Sequence, residues 1–116
     1  MLTLLPNVRV FVCTLATDMR KSFDGLSGMV EGVVKQSPLS GHLFVFRNRR
    51  GDKLKMLYWA GDGLCIWAKR LESGTFELPS GKEGGLEISR AELNMLIDGV
   101  ALNSQRRPRF KMARAA

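Results

Sequence analysis

Hydrophobic and polar residues alternate from Val8 to Thr14 (VRVFVCT), and the run is rich in β-branched residues, which predicts a strand. The period then changes. Met19, Phe23, Leu26, Val30, Val33 and Val34 recur at spacings of three and four, so a helix with one buried face is expected. Thr17 and Asp18 precede it with oxygens suited to an N-cap. Gly25, Gly28 and Gly32 form a second stripe on this helix. Each costs about 1 kcal/mol of helix propensity relative to alanine, so close packing of the stripe on a sheet is expected as compensation.

Gln36–Gly41 (QSPLSG) reads as a loop, and four strand-like runs follow: Leu43 to Arg47, Leu54 to Trp59, Leu64 to Lys69 and Thr75 to Leu78. The segments between them are short. Gly51, Gly61, Gly63 and Gly74 stand in those turns, where positive φ is often required. Short connections force neighbouring strands to run antiparallel. Pro79–Gly85 (PSGKEGG) is a flexible loop by composition. Ser89-Arg90-Ala91-Glu92 then has the form of a capping box, with Ile88 placed to staple onto Leu93. Leu93, Leu96, Ile97 and Val100 give that helix its apolar face, and Gly99 marks its end.

The expected fold is therefore α+β: an N-terminal strand and helix, a four-stranded antiparallel β-meander, a second short helix and a basic C-terminal tail. Residues 1–102 form one domain and residues 103–116 the tail, expected to be flexible in isolation. The first strand is expected at an edge of the sheet, with the Met19/Phe23/Leu26/Val30 face of the long helix packed on it.

Charge changes this picture. The 116 residues carry a formal net charge of +7. Arg47, Arg49, Arg50, Lys53 and Lys55 stand against Asp52 alone, a net of +4 around one turn, and Arg106, Arg107, Arg109, Lys111 and Arg114 have no acid among them, a net of +5. The two stretches together exceed the total, so the rest of the chain is slightly acidic. A solvated turn tip explains some of these cations, and edge lysines also discourage sheet aggregation. Five cations against one acid exceed either need. Arginine and lysine on a β-ribbon suit a phosphate backbone, and a basic arm such as the tail can order on DNA or RNA, with Phe110 able to stack. The nucleic-acid candidates are thus Arg47, Arg49, Arg50, Lys53, Lys55, Arg106, Arg107, Arg109 and Lys111.

Other chemistry has little support. His42 is the one histidine and sits just ahead of an apolar strand, which favours a capping or surface role. Asp18, Asp24, Glu31, Asp52 and Asp62 could in principle serve a metal-dependent nuclease, but no spacing singles out a set. Arg50–Gly51–Asp52 is an RGD tripeptide explained by a β-turn. Cys13 and Cys65 lie in apolar runs without CxxC spacing, which fits buried thiols rather than a metal site. No catalytic residue, metal or cofactor is expected. The apolar start is interrupted by Pro6 and Arg9, and no stretch approaches the roughly 20 apolar residues that span a bilayer, so a cytoplasmic protein without membrane contact is expected.

Three blocks carry a resemblance: TDMRKSFDGL (Thr17–Leu26), SGHLFVFRNRRGDKLKMLYW (Ser40–Trp59) and GDGLCIWAKRLESGTFELP (Gly61–Pro79). In this order they resemble the TnpB-type accessory protein of the insertion-sequence-66 family, the second open reading frame of a bacterial mobile element. The likeness extends more loosely from Val8 to Gly99. It implies a protein encoded beside a DDE-type transposase that assists transposition, with no established catalytic residue. Thr17, Asp18, Arg20, Lys21, Phe23, Asp24, Arg49, Lys55, Trp59, Lys69 and Arg70 match the family pattern. Ala60 departs from it, since many relatives carry an acid after the tryptophan. Two functions follow as expectations. One is an accessory factor that contacts DNA, element ends included, through the basic turn and tail. The other is an interaction module for the transposase or another element-encoded protein, with Arg20, Lys21, Lys69 and Arg70 facing an acidic partner and tuning association.

Overall fold

A computed structural model describes residues 6–78 and 84–98. Five strands form one mixed sheet in the order β4-β3-β2-β1-β5. They are β1 (Val10–Cys13), β2 (Leu43–Arg47), β3 (Lys53–Trp59), β4 (Leu64–Arg70) and β5 (Gly85–Ile88). Strands β2, β3 and β4 make the antiparallel meander that the short turns demand. Strand β1 pairs parallel to β2, with Phe11 opposite Phe44. It pairs antiparallel to β5, with Val10 opposite Ile88.

Three sequence expectations are corrected here. Strand β1 is interior rather than at an edge, which explains why all four of its residues are buried. Thr75–Leu78 is not a strand. The Phe76 N–H donates to the Gly51 carbonyl and its own carbonyl accepts from Arg47, so its backbone bonds go to the β2–β3 turn and not along β4. The outer strand is β5 instead, from a stretch whose first residue, Gly85, reads as loop.

Alternation along the strands divides the core into two layers. Val10, Val12, Leu43, Val45, Leu54, Met56 and Ile88 face α2 (Arg90–Asp98) and its Leu93, Leu96 and Ile97, with Leu71 and Phe76 filling the end of that layer. Phe11, Cys13, Phe44, Phe46 and Leu57 face α1 (Phe23–Met29) and the π-helical turn Val30–Val34 that continues it. Helix α2 has its capping box, with Ser89 N–H on Glu92 Oε1 at 2.8 Å and Glu92 N–H on Ser89 Oγ at 3.1 Å. Ile88 and Leu93 are buried together.

The first helix starts later than its period suggests. Its cap position is Ser22, which makes no side-chain capping bond. Asp18 instead closes a turn ahead of it, accepting the Arg20 N–H on its side chain at 2.9 Å and the Lys21 N–H on its carbonyl at 3.1 Å. Phe23 is therefore not on the buried face and is 45% exposed. The glycine stripe is not packed on the sheet: a methyl group at Gly28 or Gly32 would meet nothing within 4 Å, and one at Gly25 would meet the Lys21 side chain at 3.1 Å. The close approach lies at Gly84 and Gly85, where β5 begins against the π-helical turn. Gly99, Val100 and the whole tail lie outside the described residues.

Candidate cationic cleft

The turn between β2 and β3 is held from several directions. Asn48 Oδ1 accepts the N–H groups of Gly51 and Lys53, each at 3.0 Å, and Asn48 Nδ2 donates to Asp52 at 2.8 Å. Gly51 takes φ +81° and is buried against Thr75, a position only glycine fits without strain. The Leu71 N–H donates to the Asp52 carbonyl at 2.8 Å. The Asn48 hydrogen bond holds the Asp52 carboxyl below its usual range, with Arg50 and Lys53 adding to the effect. Arg49, Arg50 and Lys53 thus project from a tip whose backbone is fixed from Asn48 to Lys53.

The TDMR block forms the opposite wall. Its Thr17 N–H donates to the Arg47 carbonyl at 2.9 Å, which joins the block to the end of β2. Ala16, Thr17, Asp18, Met19 and Arg20 on one side, and Asn48, Arg49, Arg50 and Lys53 on the other, line a cleft of about 600 Å³. A smaller hollow of about 260 Å³ continues from Met19 and Lys53 past Lys55 and Ala68 to Lys69 and Arg70. Arg20, Arg49, Arg50 and Lys53 therefore surround one concavity, with Arg70 at its far end. Such a surface can hold consecutive phosphates or an acidic peptide.

The candidate cations do not all face outward. Lys55 Nζ donates to the Met19 and Lys21 carbonyls at 2.8 and 2.9 Å and fixes the TDMR turn to the sheet. Arg47 is half-buried and donates to Phe76 O at 2.8 Å. Lys69 Nζ donates to Ile97 O at 3.0 Å, where the last carbonyls of α2 lack intrahelical donors. These three side chains therefore each make bonds within the fold. Arg70 is exposed, with Glu72 3.5 Å away. Lys21 is exposed beside the cleft. Arg106, Arg107, Arg109 and Lys111 lie outside the described residues. Sequence reading missed Asn48, although Asn at the start of a Gly-containing turn is a usable signal.

Asp18 is the acid of the cleft. Its carboxylate meets Arg20 Nε at 3.0 Å and Nη2 at 2.7 Å. These bonds, followed by the one from the Arg20 backbone, hold its pKa down to about 2. A lowered folded pKa means that the group's contribution to stability is complete above the ordinary carboxylate range and is lost as pH falls from about 4 toward 2. The pair is solvent-exposed, so the contribution is small. A carboxyl NMR titration is expected to give Asp18 a midpoint near 2 that Arg20→Ala returns to the ordinary carboxylate range. An Asp18 midpoint near 4 in the unmodified protein would contradict the paired geometry.

His42 accepts the Arg9 N–H on Nδ1 at 3.0 Å and packs edge-on to Phe11, a structural role in line with its position ahead of β2. Among the described residues no group of three or more His, Cys, Asp or Glu could hold a metal ion. No helix among them is long and apolar enough to cross a membrane.

Fold and site together define a small α+β domain, helix-covered on both faces of its sheet, with a cationic cleft at one end. The chain belongs to the family described as IS66 Orf2 like protein, whose model matches residues 8–107. Membership gives it a transposition-associated accessory role. It is 46% identical over 94 residues to "Uncharacterized protein y4hO" of Sinorhizobium fredii, a match covering 81% of this chain and 82% of the relative. It is 37% identical over 94 residues to "Uncharacterized protein y4jC" of the same organism, covering 81% and 80%. No solved structure matches the chain.

Proposed function

We propose that this protein assists transposition of its element by holding DNA, without catalysis, in the cleft between the TDMR turn and the β2–β3 tip. The observation that carries the reading is the convergence of Arg20, Arg49, Arg50 and Lys53 on one cleft. The family-matching block and the basic turn, separate in sequence, share that concavity. Arg49, Arg50 and Lys53 supply phosphate contacts from a tip whose backbone is already fixed, so little backbone ordering is needed on binding. Lys21 and Arg70 extend the path, and Arg106, Arg107, Arg109 and Lys111 of the tail add further phosphate contacts. Lys55, Arg47 and Lys69 support the surface from behind.

Fluorescence anisotropy with an element-end duplex and a scrambled duplex, each across a salt series, tests this. With about five phosphates contacted, log K falls with log salt at a slope of roughly −4 to −5. Tighter binding to the end duplex makes the protein an end-recognition factor. Equal, steep binding that weakens on cutting at Asn103 makes it a non-specific clamp. Absent or salt-independent binding removes the proposal.

A second reading, docking onto the transposase, is favoured by one observation: Leu15 and Phe23, which flank the TDMR block, are 47% and 45% exposed. An association that survives nuclease treatment and is lost in Phe23→Ser supports it.

A further inference from the structure

The two edges of the sheet are treated differently. Edge β5 has four residues, begins with Gly85 and carries Glu87 in a two-bond pair with Arg9. Edge β4 has seven residues, and its first five, Leu64-Cys65-Ile66-Trp67-Ala68, contain no charge, proline or glycine. A long apolar edge is what soluble proteins usually avoid or cover.

The backbone bonds show which groups of β4 are open. Leu71 N–H donates to Asp52 O, and Ala60 N–H to Gly63 O. Antiparallel pairs alternate between bonded and non-bonded, so with Leu54 opposite Lys69 and Met56 opposite Trp67, residues Cys65, Trp67 and Lys69 bond to β3. Leu64, Ile66, Ala68 and Arg70 therefore present their N–H and C=O groups to an edge that no strand among the described residues pairs with.

We propose that β4 pairs with β4 of a second copy of this chain, antiparallel and centred on Trp67, to give a two-fold dimer with one continuous ten-stranded sheet. This register pairs Leu64 with Arg70, Ile66 with Ala68 and Trp67 with itself. Every open N–H and C=O then faces another open group, and all seven residues of each strand are used. Charge selects the same arrangement. Lys69 and Arg70 sit at one end of β4, so an antiparallel partner places the two cationic ends apart, whereas a parallel one sets them side by side. Arg70 also comes within diagonal reach of the exposed Asp62 of the partner subunit. The cationic tail is the less suitable occupant, because it would lie beside Lys69 and Arg70.

The pairing has a consequence that rests on the proposed DNA function. A two-fold axis perpendicular to the sheet puts both cationic clefts on the same face of the dimer, toward opposite ends of its strands. Asp52 of the tip lies opposite Leu71, which this register sets eight residues along the strand from its two-fold mate. That offset is roughly 27 Å, and three to five strand spacings across the strands are roughly 15–25 Å, so the two β2–β3 tips stand about 30–37 Å apart. That is close to the pitch of duplex DNA, about 34 Å.

Sedimentation of the full chain without DNA tests the dimer, so its failure is distinct from failure of DNA binding. The expected mass is twice the 12.9 kDa of the chain at tens of micromolar. Ala68→Pro removes an N–H that points away from β3, and Ala68→Lys sets a charge against Ile66 of the partner subunit; each should give a monomer. The lysine variant decides should the proline variant fail to fold. A wild-type monomer at 100 µM, or a dimer that persists in the folded Ala68 variants, overturns the proposal, as does a dimer lost only on cutting at Asn103.

Discussion

Arg49→Ala combined with Arg50→Ala is expected to weaken duplex binding roughly a hundredfold near 100 mM salt and to reduce the salt slope by about two. Both side chains leave a tip fixed by Asn48 and Gly51 and hydrogen-bond to nothing among the described residues. Their removal should therefore leave thermal stability within about 0.5 kcal/mol, as for a surface change away from caps and core. That separation gives the experiment its force. Loss of binding with an unchanged melting curve locates the phosphate contacts at the tip. An unchanged slope in a well-folded double variant would place the contacts elsewhere and remove the cleft from the DNA path.

The largest stability effect is expected at Gly84. Its φ is +96°, and a methyl group there would stand 2.6 Å from the Val33 carbonyl oxygen. That neighbour is backbone in the π-helical turn and cannot swing aside. Gly84 O also accepts the Thr14 N–H at 3.0 Å, so the strand cannot easily move away. Gly84→Ala adds the strain of a left-handed residue to that collision and should cost about 3 kcal/mol. For a domain of this size the melting temperature falls by roughly 10–15 °C. Gly28→Ala is the contrast. It lies in α1 with open space around it, and the substitution should stabilise by about 0.5–1 kcal/mol through helix propensity alone. Similar effects at the two sites would mean that β5 does not lie against the π-helical turn.

The two glycines show how far one residue type can be read from its neighbours. Gly28 lies within the apolar period of the helix and Gly84 in a polar loop, and sequence assigned the close packing to the Gly25, Gly28 and Gly32 stripe. The structure assigns it to Gly84 and Gly85, because the contact joins segments about fifty residues apart. The cations divide in the same way. Charge clustering located the basic turn, but no local pattern separates Arg49, which faces solvent, from Lys55, whose ammonium reaches two carbonyls more than thirty positions earlier.

What the sequence by itself determined is what short-range physics governs. The capping box at Ser89 depends on atoms within one helical turn. The turns of the β2–β3–β4 meander depend on connection length and glycine conformation, and the alternation of β1 and β3 depends on a two-residue period. The family blocks were also legible as linear strings. Only the tertiary structure decided that β1 lies parallel to β2 inside the sheet, that β5 forms its second edge, and that Thr75–Leu78 bonds to the tip rather than pairing as a strand. It also brought the TDMR turn against Arg47 to make the cleft. The reason is that the alternatives share similar local propensities. They are separated by which partner satisfies buried N–H and C=O groups and fills the two faces of the sheet, and those partners lie far away in the chain.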